Sequence, residues 1–257
     1  MTTQSADKPV LWQIDISHYS EKVRWALDYK EIDHVRRSPL PGTHIPIAIF
    51  LTHGAQPTFP VLQMDGRAIG DSTEIIAALE AKYLDRPLYP LKPEERARAL
   101  ELEDWFDENL GPQARLLPFY ELIQEPKLFA EVAAENVPGP LARAKPLVGA
   151  YGRAYTSLRW GANSSEEAER AREGIVAAFD KLDAELAKGN GKFLVGDRLS
   201  VADVTAASLF YPIVVPLEGP LSPDLPRPPA LESFRQSLAS RPGFRWVEET
   251  FRRHRHR

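Results

Sequence analysis

The chain of 257 residues contains no cysteine. This excludes disulfides, thiolate metal sites and any mechanism in which a protein thiol attacks a substrate. Long apolar runs are also missing. None approaches the ~20 residues that a membrane-spanning helix requires. The polar start, Thr2-Thr3-Gln4-Ser5-Ala6-Asp7-Lys8-Pro9, lacks the apolar core of a signal peptide. The expectation is a soluble, cytoplasmic protein with no membrane contact. Charge of one sign is not in excess: 32 basic residues face 36 acidic ones, a formal net charge of -4. A nucleic-acid partner is therefore not expected. The one basic cluster, Arg252-Arg253-His254-Arg255-His256-Arg257, reads as a solvated, mobile end. The histidines form no i, i+4 ligand pair, so no metal is expected. No P-loop or Gly-x-Gly-x-x-Gly fingerprint is present, and Gly189-Asn190-Gly191-Lys192 follows a helix rather than a strand.

What is present is ordinary for a globular protein: 43% hydrophobic and 26% charged residues. Residues 1–84 alternate short strand-like and helix-like pieces, the pattern of an α/β unit. Val10–Ile16 reads as a strand and Ser20–Lys30 as a helix with Val23, Ala26, Leu27 and Lys30 on related faces. Asp33–Arg37 reads as a second strand, and 39–56 as a loop with a short helix. Phe59–Met64 reads as a third strand, and Asp65-Gly66 as a hairpin turn leading to a fourth at Arg67–Ile69. A helix starts near Asp71, with Asp71 and Glu74 at capping-box spacing and Ile76, Leu79 and Tyr83 on one stripe.

Residues 85–93, DRPLYPLKP, hold three prolines and read as a linker. Residues 94–257 are helical in pattern. One stripe is Ala99, Leu102, Phe106 and Leu110, ended by Gly111-Pro112. A longer one is Ala168, Ala171, Ile175, Phe179, Leu182 and Leu186, ended by Gly189 and Gly191. Between them Pro118, Pro126, Pro138, Pro140 and Pro146 are expected to break the chain into short pieces. Further helices start at Ser200 and cover Ala230–Ala239. At the first of these, Ser200 is the N-cap, Asp203 reaches back to it, and Leu199 and Val204 form a hydrophobic staple, a purely structural constellation.

Three local patterns resemble the glutathione S-transferase family. Ser17-His18-Tyr19-Ser20-Glu21-Lys22-Val23-Arg24 is similar to that family's Cys/Ser-Pro-Phe-Cys/Ser-x-Lys-Val-Arg at the first strand–helix junction. Thr58-Phe59-Pro60-Val61-Leu62 followed by Asp71-Ser72-Thr73-Glu74-Ile75 resembles its cis-proline and Glu/Asp-Ser-x-x-Ile elements. Gly196-Asp197-Arg198-Leu199-Ser200-Val201-Ala202-Asp203 is similar to the capping motif of its helical domain. The resemblance implies an α/β plus all-α architecture, a thioredoxin-like N-terminal domain followed by an all-helical domain. It implies glutathione as co-substrate, a small electrophile as second substrate, a role in detoxification, and a homodimer. Around residues 120–165 the match is poor and the chain is longer than a typical member.

The implied chemistry keeps a bound thiol as thiolate, the nucleophilic form. A hydroxyl donating to sulfur favours that form. Ser17 matches the first Cys/Ser of the motif and is the candidate donor. On residue type alone it could equally be a helix cap. Ser20 reads as structural and Tyr19 as packing. His18 stands where proline is common, and restores an N–H at a helix end that favours anions. It is expected either to contact the ligand or to sit partly exposed without a role. Ser72, at a helix N-terminus, is the candidate for the γ-glutamyl carboxylate. Asp71 is placed for the α-amino group, in competition with capping. Phe59 and a cis Pro60 would present backbone groups to an extended ligand, with Gln56 and Thr58 beside them. Trp105, Phe106, Phe119 and Tyr120 are aromatic candidates for an electrophile pocket between the domains. Two rivals remain open: a non-catalytic binding or scaffold protein of the same fold, and an enzyme using another thiol. With no cysteine, a mixed disulfide with the enzyme has no candidate residue.

Overall fold

In the computed structural model, β1 (Val10–Trp12) lies at the centre of a four-stranded sheet. It pairs parallel with β2 (Val35–Arg37) and antiparallel with β3 (Val61–Met64). β3 pairs antiparallel with β4 (Arg67–Gly70), giving the order β2-β1-β3-β4. The structure describes residues 8–40, 42–135, 143–160, 162, 164–189 and 191–255. Thr2 to Asp7, Pro138, Pro140, Asn190, His256 and Arg257, all of which entered the sequence reading, lie outside them. The chain divides into two compact units, one ending at Leu88 and the other beginning at Tyr89.

The strands are shorter than the apolar runs predict. β1 ends at Trp12 because the chain turns at once: the Ser17 N–H donates to the Ile14 carbonyl at 3.0 Å. Phe59 and Pro60 precede β3, since proline has no N–H to give a ladder. The Asp65-Gly66 turn has positive φ at both residues, 53° and 72°, as a two-residue hairpin of primed type requires.

Three helices complete this unit: α1 (His18–Tyr29), α2 (His44–Leu51) and α3 (Ser72–Lys82). α1 begins two residues earlier than its apolar stripe suggests, because Ser17 caps it. It is buried on more than one side: Val23, Ala26 and Leu27 are inaccessible, and so are Trp25 and Lys22. In α3 the buried apolar residues are Ile75, Ile76 and Leu79, while Tyr83 is a half-buried C-cap. Lys30 ties the ends of these helices together. Its Nζ lies 2.7 Å from Glu80 Oε1 and donates to the Tyr83 carbonyl at 2.7 Å.

The second unit is all helical: α4 (Pro93–Asn109), α5 (Gly111–Gln124), α6 (Pro126–Glu135), α7 (Lys145–Trp160), α8 (Ser165–Lys188), α9 (Val201–Val214), α10 (Pro229–Leu238) and α11 (Pro242–His254). α9 is buried along its whole length, and its Phe210 ring lies 4.2 Å from Phe179 and 6.0 Å from Phe106, centre to centre. Phe106 is thus core and not a substrate-pocket residue. Gly111-Pro112 does end α4, but it also opens α5 within a residue, because proline is tolerated in a helix's first turn. The same rule corrects the reading of the central prolines. Pro126 and Pro146 sit in the first turns of α6 and α7, and Pro118 lies inside α5. As far as Arg255, the basic cluster is not a free tail. Arg252, Arg253 and His254 form the last turn of α11, Arg255 is buried, and Glu249 pairs with Arg252 and Arg253.

The α9 start follows the capping pattern. The Ser200 N–H and hydroxyl donate to Asp203 Oδ2 at 2.8 and 2.7 Å, and the Leu194 N–H donates to Oδ1 at 2.8 Å. Leu199 and Val204 are both buried. No helix among the described residues is long and apolar enough to cross a membrane.

Candidate functional site

The sheet register gathers the candidate residues at one end. Trp12, the last residue of β1, is opposite Val61, the first of β3, and Val61 is opposite Gly70, the last of β4. The loop after β1 ends at Ser17, and His18 opens α1. Phe59 and Pro60 enter β3 at the same end. Asp71 and Ser72 leave β4 there. The joints that follow β1 and β4, the strands on either side of β3, therefore place two helix N-termini, those of α1 and α3, at one end of the sheet.

Ser17 is the N-cap of α1, and its Oγ accepts the Ser20 N–H at 3.2 Å. The cap therefore uses an oxygen lone pair. Ser20 is wholly buried, and its Oγ accepts the Ile14 N–H at 3.3 Å, which ties down the loop that carries Ser17. His18 is buried, not partly exposed, with its ring 4.4 Å from that of Tyr19.

At the second N-terminus, Asp71 caps α3. Its Oδ1 accepts the Thr73 N–H at 2.8 Å and the Glu74 N–H at 3.4 Å, so both bonds fall on one carboxylate oxygen. Asp71 has φ 68° and ψ 134°. Such a backbone at a non-glycine costs on the order of 1–3 kcal/mol and is a feature of ligand-holding turns. Ser72 is the first residue of α3 and is buried. The Phe59–Pro60 bond is cis. The Phe59 side chain is buried with Ala48 and Val61, and is not free for a ligand. Gln56 is half-buried and lies over Gly70, where any Cβ would overlap its side chain. Thr58 is exposed.

Sequence reasoning missed the residues that brace this edge. Arg24 is buried and satisfies three acceptors: Glu21 Oε2 at 2.6 Å, Gln13 Oε1 at 3.1 Å and the Asp15 carbonyl at 2.9 Å. Asp15 Oδ1 in turn accepts from Gln13 Nε2 at 2.9 Å and Ser38 Oγ at 2.6 Å. The loop before Ser17 is thereby fixed from both sides. Lys22, wholly buried, donates from Nζ to Thr73 Oγ1 at 2.9 Å and joins α1 to the first turn of α3. The signal for both was charge placed inside a helix with apolar residues on more than one face. Among the described residues no group of three or more His, Cys, Asp or Glu is placed to hold a metal ion.

A four-stranded mixed sheet with two helix N-termini at one edge, followed by an all-helical domain, defines a thioredoxin-like transferase architecture. Residues 11–87 match the model of the glutathione S-transferase N-terminal domain and residues 165–236 that of its C-terminal domain, together more than half of the chain. The chain belongs to the glutathione S-transferase family. Maleylacetoacetate isomerase of Dictyostelium discoideum is 26% identical over 216 residues, 80% of this chain and 79% of that protein. A glutathione transferase from Phanerochaete chrysosporium shares the fold at TM-score 0.62 and 19% identity, over 96% of this chain and 97% of its own. A Ceriporiopsis subvermispora glutathione S-transferase, solved in complex with glutathione, does so at TM-score 0.61 and 20% identity, over 95% of each chain.

Proposed function

We propose that the protein is a serine-type glutathione transferase that holds glutathione as thiolate for attack on a small electrophile. The observation that carries this reading is the division of labour at Ser17. Its oxygen accepts the Ser20 N–H, which leaves the hydroxyl hydrogen to donate to a sulfur. Capping and thiolate stabilisation are then compatible, and polarisation by the Ser20 N–H strengthens the donor. His18, first residue of α1, contributes the partial positive charge of a helix start.

The γ-glutamyl carboxylate binds at the start of α3, on the hydroxyl and N–H of Ser72, where the helix start is partially positive. Asp71 keeps Oδ1 for the cap and offers Oδ2 to the α-amino group. Phe59, entering β3, pairs its backbone with the extended tripeptide. The thiolate then attacks an electrophile held beside it, with proximity supplying much of the acceleration. Relatives named maleylacetoacetate isomerase favour an unsaturated acid as the first electrophile to try. The active form is a homodimer.

Calorimetric titration with glutathione, on the parent and on Ser72→Ala, tests the reading. It predicts binding by the parent and a clear loss of affinity in the variant. No binding at millimolar glutathione, about -4 kcal/mol or weaker, would move the protein to the class of transferase-fold binding modules or to another thiol.

A further inference from the structure

The outer face of α7 is apolar and uncovered. Leu147 is 74% exposed, Tyr151 57% and Leu158 89%, with exposed Ala154 between them. These positions follow i, i+4, i+7, i+11, a single stripe along about 16 Å of helix. The opposite face of α7 is the one that packs inward: Gly149 lies against Ala130, Gly152 against Phe129, and Thr156 is buried. Scattered exposed leucines are normal on a protein surface, but a continuous apolar helix face marks an interaction site.

Beside the stripe runs a groove of about 310 Å³, lined by Ile123, Ala150, Arg153, Ala154 and Ser157. Ala154 belongs to both stripe and groove, so the two surfaces are continuous. Arg153 is half-buried there. Its Nε is buried and has no hydrogen-bond partner, and among the described residues its guanidinium makes no ion pair. Five other arginines of the helical unit, Arg98, Arg170, Arg172, Arg227 and Arg241, each face a carboxylate. A buried guanidinium nitrogen without a partner is costly, and the planar fork of the group fits a carboxylate.

We infer that this face docks an acidic amphipathic helix of another protein, whose apolar side covers Leu147, Tyr151 and Leu158 and whose carboxylate enters the groove to meet Arg153. The mode is a helix in a groove. A second copy of the chain, packed α7 against α7, does not meet the requirement, because α7 has no acidic residue to offer Arg153. A flat anionic membrane does not meet it either, because the Arg153 Nε lies recessed below the surface. The inference is independent of the glutathione site.

The test uses the full chain and overlapping phage-displayed peptides covering the source organism's proteins. Retained peptides are synthesised and titrated against parent, Arg153→Glu and Leu158→Asp. Melting curves confirm that each variant is folded, and Arg153→Gln replaces the charge reversal should that variant melt early. The expected peptides carry one acidic residue on an apolar helical face. They lose about tenfold or more in affinity on either variant, and changing that acid to lysine restores binding to Arg153→Glu. The inference is overturned if no peptide is retained or if retained peptides ignore both substitutions. Self-association of the parent that Leu158→Asp abolishes would overturn it in favour of a second copy. Leu158-dependent sedimentation with phosphatidylglycerol vesicles would overturn it in favour of a membrane surface.

Discussion

Lys22 Nζ donates to Thr73 Oγ1 at 2.9 Å, from a side chain with no solvent access. This bond couples the second turn of α1 to the first turn of α3, the two helix starts on which the proposed thiol site rests. Lys22→Met keeps the volume and removes the donor. It is expected to cost roughly 1–3 kcal/mol, the penalty of a buried polar partner left unmet, and to weaken glutathione binding severalfold. Urea denaturation and calorimetry read the two effects. Unchanged affinity in a folded variant would detach this lysine from the site.

The two roles assigned to Ser17 separate by substitution. Ser17→Ala loses the cap, at about 0.5–2 kcal/mol, and loses the donor. Ser17→Asp keeps an excellent cap but puts an anion where the thiolate should lie. The aspartate variant is expected to match the parent in thermal stability and to fall with the alanine variant in conjugation rate. Full activity in Ser17→Asp would leave the serine a cap and nothing more.

Arg24 meets Glu21, Gln13 and the Asp15 carbonyl at once, and both charges of the pair are buried. Arg24→Ala strands the Glu21 carboxylate and is expected to cost about 3–5 kcal/mol in chemical denaturation. Arg24→Lys keeps the charge without the planar fork and should fall between the two. A lysine variant as stable as the parent would show that the fork geometry is not needed.

Two carboxylates of the helical unit give stability opposite pH slopes. Burial alone would raise Glu185, but Lys188, Arg98 and Lys181 outweigh it and hold the carboxyl at about 2. Its folded pKa is below the ordinary value, so its contribution is present above about pH 4.5 and is lost as pH falls toward 2. Burial pushes Asp203 up to about 6, against the Leu194 and Ser200 donors that favour the charged form. The folded state then holds a proton that the unfolded state has released, and this contribution declines as pH rises from about 4 to 6. Glu185→Gln should flatten the acid limb of the stability profile, and Asp203→Asn should remove the decline between pH 4 and 6. Denaturant midpoints across pH read both. An unchanged acid limb in Glu185→Gln would contradict the first assignment.

Much of the fold was legible where its signals are local. Asp65-Gly66 specifies its hairpin by backbone preference alone, and Ser200 with Asp203 specifies a helix start through hydrogen bonds spanning four residues. The glutathione-transferase architecture followed from such pieces in order. Less legible was whatever depends on partners distant in sequence. Lys22 and Arg24 look like solvated helix charges until α3 and the 13–15 loop close over them. The central prolines misled because a proline that opens a helix and one that breaks it are the same residue; Pro126 and Pro146 do the former. The last turn of α11 was read as a tail because its cations mask the buried Phe244, Val247 and Phe251 on the other face.

The central claim is that the Ser17 hydroxyl stabilises a bound thiolate. The direct measurement is the ultraviolet thiolate absorbance of glutathione bound to parent and to Ser17→Ala, followed across pH. The account predicts a bound thiol pKa clearly below the ~8.5 of a free cysteine-type thiol. It predicts a rise of about one unit or more, at least ~1.4 kcal/mol, when the hydroxyl is removed. The same bound pKa in both proteins would contradict it.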